Sequence, residues 1–213
     1  MKNLILIIVI NIILFSCSTE VKRYSFEDTI SKNQLVYLEN DMSLINGIVY
    51  LKNLNNTLNK EITYKNGKKE GLESSWYVNG QLKSEDNWRD GKEDGLSKKL
   101  YENSQIKEEG NYINGKKDGL WKGWYENGDL MTTTNYKDGK MDGLLKVWSE
   151  NGQLEFETNY KDGKLDGLDK LYLDGELFTS TEYKNGKKDG LDKQYYKGEL
   201  LFTHKYKDGE NLD

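Results

Sequence analysis

The sequence predicts an all-β protein: an elongated antiparallel β-meander built from tandem β-hairpin repeats of 23–24 residues. Three observations predict it. An aromatic residue recurs at Tyr64, Trp88, Tyr112, Tyr136, Tyr160, Tyr183 and Tyr206, at spacings of 24, 24, 24, 24, 23 and 23. Such a period marks a repeat architecture in which each unit is one supersecondary element. Between recurrences, apolar and polar residues alternate with period two, the pattern of a half-buried strand. The alternating runs are broken by Asn-Gly or Asp-Gly steps, which suit hairpin turns because glycine adopts positive φ freely and Asn or Asp tolerates it.

One unit shows the elements in order. Leu144, Lys146 and Trp148 alternate with Leu145, Val147 and Ser149, and Glu150-Asn151-Gly152 ends the strand. Leu154, Phe156, Thr158 and Tyr160 form the returning strand, which Asp162-Gly163 ends. The residue lost in the two 23-residue units falls in a turn, where deletion is best tolerated: Glu150-Asn151-Gly152-Gln153 becomes Leu173-Asp174-Gly175-Glu176 and then Tyr196-Lys197-Gly198-Glu199. A worn unit precedes the regular ones. Asn46-Gly47-Ile48 lies 24 residues before Glu70-Gly71-Leu72, and Leu58 lies 24 before Leu82. The array is therefore expected over residues 35–213, in about seven units with a degenerate first one, as terminal repeats often are. Two leucine columns accompany the opening aromatics. One is Leu72, Leu96, Leu120, Leu144, Leu168 and Leu191; the other is Leu82, Ile106, Leu130, Leu154, Leu177 and Leu200. Three buried apolar stripes are expected, each side chain contributing about 1.5–3 kcal/mol when fully buried. Seven units give thirteen or fourteen strands, a rod roughly 60 Å long at ~4.8 Å per strand.

Upstream of the array the pattern changes. Met1-Lys2-Asn3 carries one positive charge, and Leu4 to Leu14 is apolar apart from Asn11. That run is too short to span a bilayer, which takes about 20 residues, and its charged start fits a secretory signal. It ends in Leu14-Phe15-Ser16-Cys17, which resembles a bacterial lipobox. Residues 1–16 are read as a lipoprotein signal peptide and Cys17, the only cysteine, as the lipidated residue. Residues 17–34 are read as a flexible tether. The expected location is the cell envelope, lipid-anchored outside the cytoplasm, with membrane attachment through acyl chains on Cys17.

Composition excludes several functions. With 31 basic and 36 acidic side chains, the chain has no electrostatic reason to seek nucleic acid. One cysteine excludes an internal disulfide. One histidine, His204, is too few for a zinc site, and its position is held by Thr158 and Thr181 in earlier units, which makes it an exposed strand residue. Asp138, Asp142, Asp162 and Asp166 recur near glycines, but their spacing matches no calcium loop and turn chemistry accounts for them. No carboxylate pair stands in an apolar setting that would fit it for glycoside hydrolysis. No catalytic residue, metal or cofactor is assigned, and the protein is read as not an enzyme. Aromatics remain as binding candidates. Trp76, Trp124, Trp148, Tyr172 and Tyr195 share one column; Tyr77, Tyr101, Tyr125 and Tyr196 share its neighbour. Adjacent strand positions point to opposite faces, so one column is core and the other an exposed ladder fit for a protein or a glycan. The sequence does not choose between them.

The units resemble the bacterial variant of the MORN repeat, as in Tyr136-Lys137-Asp138-Gly139-Lys140-Met141-Asp142-Gly143 followed by Trp148-Ser149-Glu150-Asn151-Gly152. The resemblance covers residues 35–213. It implies a non-catalytic repeat scaffold, and relatives of the YwqK type imply an antitoxin or immunity protein that neutralises a toxin by binding it. A glycan-binding adhesion module of the cell wall is the alternative.

Overall fold

The computed structural model describes residues 21–213. The signal peptide, Cys17 and the first residues of the tether lie outside them. About two-thirds of the described residues are in strands, and the only helical piece among them is a three-residue 3-10 turn at Phe26–Asp28. The dominant element is one sheet of sixteen strands in which sequence neighbours pair antiparallel from β4 (Gly47–Lys52) to β18 (Glu210–Asn211). Seven two-strand units fill it, from β4 with β5 (Leu58–Lys65) to β16 (Lys187–Tyr196) with β17 (Glu199–Lys207).

The start of the chain differs from expectation. Residues 21–34, expected as part of a flexible tether, carry β1 (Arg23–Ser25), the 3-10 turn and β2 (Thr29–Lys32). β1 pairs in parallel with β4, with Arg23 opposite Ile48, and the Arg23 guanidinium meets Glu61. β2 pairs with β3 (Leu35–Leu38) in a separate two-stranded sheet. The regular array thus begins at Gly47, not Leu35. The β2–β3 hairpin caps it instead: Val36 N–H donates to the Gly67 carbonyl, and Ile45, fully buried, accepts from Gly67 N–H. Few apolar residues marked this segment because backbone bonds to the array hold it.

The two edges of the sheet use different turns. On one, Asn66-Gly67, Asn114-Gly115, Asp138-Gly139 and Asp162-Gly163 all have positive φ at both residues, as a two-residue hairpin requires. On the other, only the glycine is positive (Gly80, Gly128, Gly152), in a longer loop closed by bonds such as Tyr125 N–H to the Asp129 carbonyl. Asn127 accepts there from the Asp129 N–H at 2.8 Å. The single-residue deletion converts this loop to the two-residue type, with Asp174 and Lys197 now at positive φ.

The core is not the one the leucine columns predict. Leu72, Leu96, Leu120 and Leu168 stay exposed on the outer face, Leu120 at 47%. Burial follows a row on the opposite, inner face: Val49, Glu73, Ser97, Trp121, Thr134, Thr158 and Thr181. Register sets them side by side, Thr134 opposite Trp121 and Leu145, Thr158 opposite Leu145 and Asp169. Buried polar groups need partners, and Ser97, Thr158, Thr181 and Glu73 have them. Ser97 donates to Asp86 at 2.6 Å, Thr158 to Asp169 at 2.6 Å and Thr181 to Asp192 at 2.8 Å. Lys60 and Lys69 both donate to Glu73.

Candidate functional site

The acidic residues near the glycines build the stack. Asp142 accepts from Asp162 N–H at 3.1 Å, Asp118 from Asp138 N–H at 3.3 Å and Asp166 from Asn185 N–H at 3.0 Å. Each carboxylate thereby fixes the next unit's turn. Beside it, the turn glycine donates to the preceding unit, as Gly163 N–H does to the Met141 carbonyl at 2.8 Å. No group of three or more His, Cys, Asp or Glu fit for a metal ion occurs among the described residues. His204 lies on β17 with Nδ1 2.6 Å from Asp213 Oδ2, without a nucleophile in the pair.

The two aromatic columns differ in what they do. Tyr77, Tyr101 and Tyr125 donate their hydroxyls to the carbonyls of Leu100, Trp124 and Trp148, at 2.7, 2.8 and 2.7 Å. Each bond joins one unit to the next along the loop edge. The series stops where Ser149 replaces the tyrosine, and Tyr196, at the far end of the column, is 59% exposed. Trp76, Trp124, Trp148, Tyr172 and Tyr195 are half-buried. They continue the alternation that places Leu144, Lys146 and Trp148 on one side of β12 (Lys140–Trp148).

The outer face therefore carries three parallel rows running across the strands. The first is the leucine column, separated by asparagines: Leu120 lies opposite Asn135 and Leu144 opposite Asn159. These asparagines serve the backbone, Asn135 Nδ2 reaching the Leu144 carbonyl at 3.1 Å and Asn159 Nδ2 the Leu168 carbonyl at 3.0 Å. The middle row reads Glu85, Lys98, Glu109, Lys122, Thr133, Lys146, Glu157, Lys170, Ser180, Lys193, Thr203 in unbroken register. Lys146 and Lys170 share Glu157, each at 3.6 Å. The third row is the tryptophan column.

On the inner face, carboxylates are held by lysines. Burial works against a charged Glu73, but the hydrogen bonds from Lys60 and Lys69 outweigh it and keep its carboxyl below the usual range. Glu108 is held down in the same way by Lys99 and Lys117, against the same burial. Glu93 goes the other way, raised by burial and then by the charge of Asp86. An aromatic cluster absent from the sequence reading also sits here. Trp121 packs edge-on against Tyr112 at 5.1 Å and Tyr136 at 6.3 Å, with Lys117 Nζ 3.6 Å from its ring centre. Its space exists because Gly110 stands where other units have Asp86, Thr134, Thr158 or Thr181. That break in the column was its signal. Gly123 opens a cavity of about 200 Å³ beside it, lined by Glu108, Lys117, Trp121, Thr132 and Tyr136 among others.

Comparison with known families agrees with the repeat geometry. Residues 69–90, 93–114, 117–138 and 141–162 each match the MORN repeat variant. Every match starts at the second residue of an even-numbered strand and ends at the two-residue turn after the following strand. No curated protein matches the chain.

Proposed function

We propose, from four MORN-variant repeats within a continuous stack, that this protein is a non-catalytic scaffold that captures a partner protein on the outer face of its sheet. The observation that carries this reading is the outer face itself. It displays leucine, lysine and half-buried aromatic rows that the buried polar row on the other face does not need. An apolar centre with a charged border suits protein recognition. In its sharpest form the partner is a toxin, and the protein is its immunity partner at the cell envelope, anchored through Cys17. The sequence resemblance supports that form. The aromatic column favours a second occupant, a wall glycan stacked on Trp124, Trp148 and Tyr172.

The test is co-expression with the products of neighbouring genes, followed by capture on the acylated protein. Replacing Trp124, Trp148 and Tyr172 together by Ser is expected to abolish capture while the β spectrum persists. Replacing Tyr77, Tyr101 and Tyr125 by Phe is expected to lower stability and leave capture intact. Retention on purified wall material, lost in the first variant and unaccompanied by any protein partner, would replace the scaffold reading with the glycan one. Release from membranes by Cys17→Ala tests the anchor separately.

A further inference from the structure

We propose that the middle row of the outer face, from Lys122 to Lys193, is a docking ladder for an extended acidic polypeptide whose carboxylates recur at every third residue. This deepens the protein-binding reading and rests on it.

The argument begins with charge. The chain as a whole is acidic, at −5. Yet this stretch of the row holds Lys122, Lys146, Lys170 and Lys193 against Glu157 alone, with Thr133 and Ser180 on the intervening strands. Toward the other end the same row turns acidic, with Glu61, Glu85 and Glu109 around Lys98. The basic stretch is thus a local reversal of the protein's own sign. Lys146 and Lys170 share the one glutamate, Glu157, while Lys122 and Lys193 make no ion pair among the described residues, so the stretch keeps a surplus of positive charge.

Geometry sets the occupant. The lysines stand on every second strand, so neighbours are about 9.6 Å apart across the sheet. A polyproline-II segment rises about 3.1 Å per residue with three residues per turn, so each third side chain returns to the same side after about 9.3 Å. A chain lying across the strands in that conformation meets one lysine per turn. Its remaining side chains fall on the leucine row on one side and the tryptophan row on the other. Charge-assisted bonds to the lysines supply register, and the flanking rows supply apolar contact. The twist that β-sheets carry is followed by a flexible segment more readily than by a rigid helix.

The test uses fluorescence anisotropy with two labelled eighteen-residue synthetic peptides of identical composition. One has Asp at every third position between Leu and Ala; in the other the six Asp are clustered. Binding of the spaced peptide, weakening with salt and exceeding that of the clustered one by about tenfold, is expected. The triple variant Lys122→Gln, Lys146→Gln, Lys193→Gln should lose that binding about tenfold or more. A control with the same charge change on the strand residues that follow the two-residue turns, Lys116→Gln, Lys140→Gln, Lys164→Gln, should keep it. Equal losses in both variants, no preference between the peptides, or no binding overturns the ladder. An anionic polysaccharide that competes with the same lysine dependence and binds more tightly also overturns it. Partner capture measured on the same lysine variant separates the two claims: capture that survives leaves the scaffold standing without the ladder.

Discussion

Substituting Gly110 by Ala probes the inner face at the point where its pattern changes. A Cβ there would stand 2.5 Å from Trp121 Cγ and closer still to Cδ2 and Cε2. The indole is 4% exposed, so it can yield only by giving up the contacts that seat it. Displacing it costs about 1–3 kcal/mol as overpacking. It also breaks the edge-on contact with Tyr112, worth about 0.5–1.5 kcal/mol, and the Nε1 bond to the Asn111 carbonyl, worth about 0.5–1.5 kcal/mol. A destabilisation of about 2–6 kcal/mol is expected, measured by urea unfolding followed by circular dichroism. The double variant Gly110→Thr, Trp121→Asp recreates the hydroxyl–carboxylate pair seen at Thr158 with Asp169 and at Thr181 with Asp192. It should recover most of the loss, although both substitutions are drastic taken singly. Refutation would be a Gly110→Ala protein as stable as the parent, or a double variant no better than the sum of its parts. Either would mean that Trp121 is not seated over Gly110.

Three further outcomes are expected. Glu93→Gln should stabilise the protein at neutral pH, because burial and Asp86 raise the folded-state pKa of Glu93 and its charged form is disfavoured; by linkage the gain should vanish as the pH falls below the ordinary glutamate range, where both states bind the proton. Glu73 and Glu108 have the opposite sign: their folded-state values are lowered, so the stability they contribute is present above the ordinary glutamate pKa and is lost as pH falls through the folded values, which acid titration of the unfolding midpoint reads, with Glu73→Gln flattening the acid limb. Gly143→Val should destabilise by about 1–3 kcal/mol, since Gly143 has φ +115 and a Cβ would meet Asn135 Cβ at 3.1 Å; an unchanged melting temperature would place that glycine elsewhere in backbone space.

Much of the fold was legible because it repeats. Aromatic spacing and turn glycines recur in every unit, so the strands, the meander and the seven units could be read from period alone. The core could not. Its row changes from Val49 to Glu73, Ser97, Trp121, Leu145 and Asp169, because what it needs is a partner across the strand rather than one residue type. The constant leucines suggested full burial, yet Leu72, Leu96, Leu120 and Leu168 are exposed and Leu144 and Leu191 only half-buried, since constancy in a repeat also marks a row on the outer face. The aromatic columns were visible in the sequence, but the tyrosine hydroxyls that staple Tyr101 to the Trp124 carbonyl join residues 23 apart. Stacking alone brings them together. The N-terminal cap escaped for a related reason: β1 is held by backbone pairing to β4, which no side-chain pattern announces.

Distances between spin labels on equivalent loops test the continuous stack most directly. Glu102, Glu126 and Glu150 occupy the same loop position in three consecutive units. Labels introduced at Glu102 and Glu126, and at Glu102 and Glu150, in a Cys17→Ser background, should give electron–electron distances that grow by about 9.6 Å for each added unit, two strand spacings. A separation that fails to grow with unit number would mean that the units do not stack side by side in one sheet, and the ladders on its outer face would go with it.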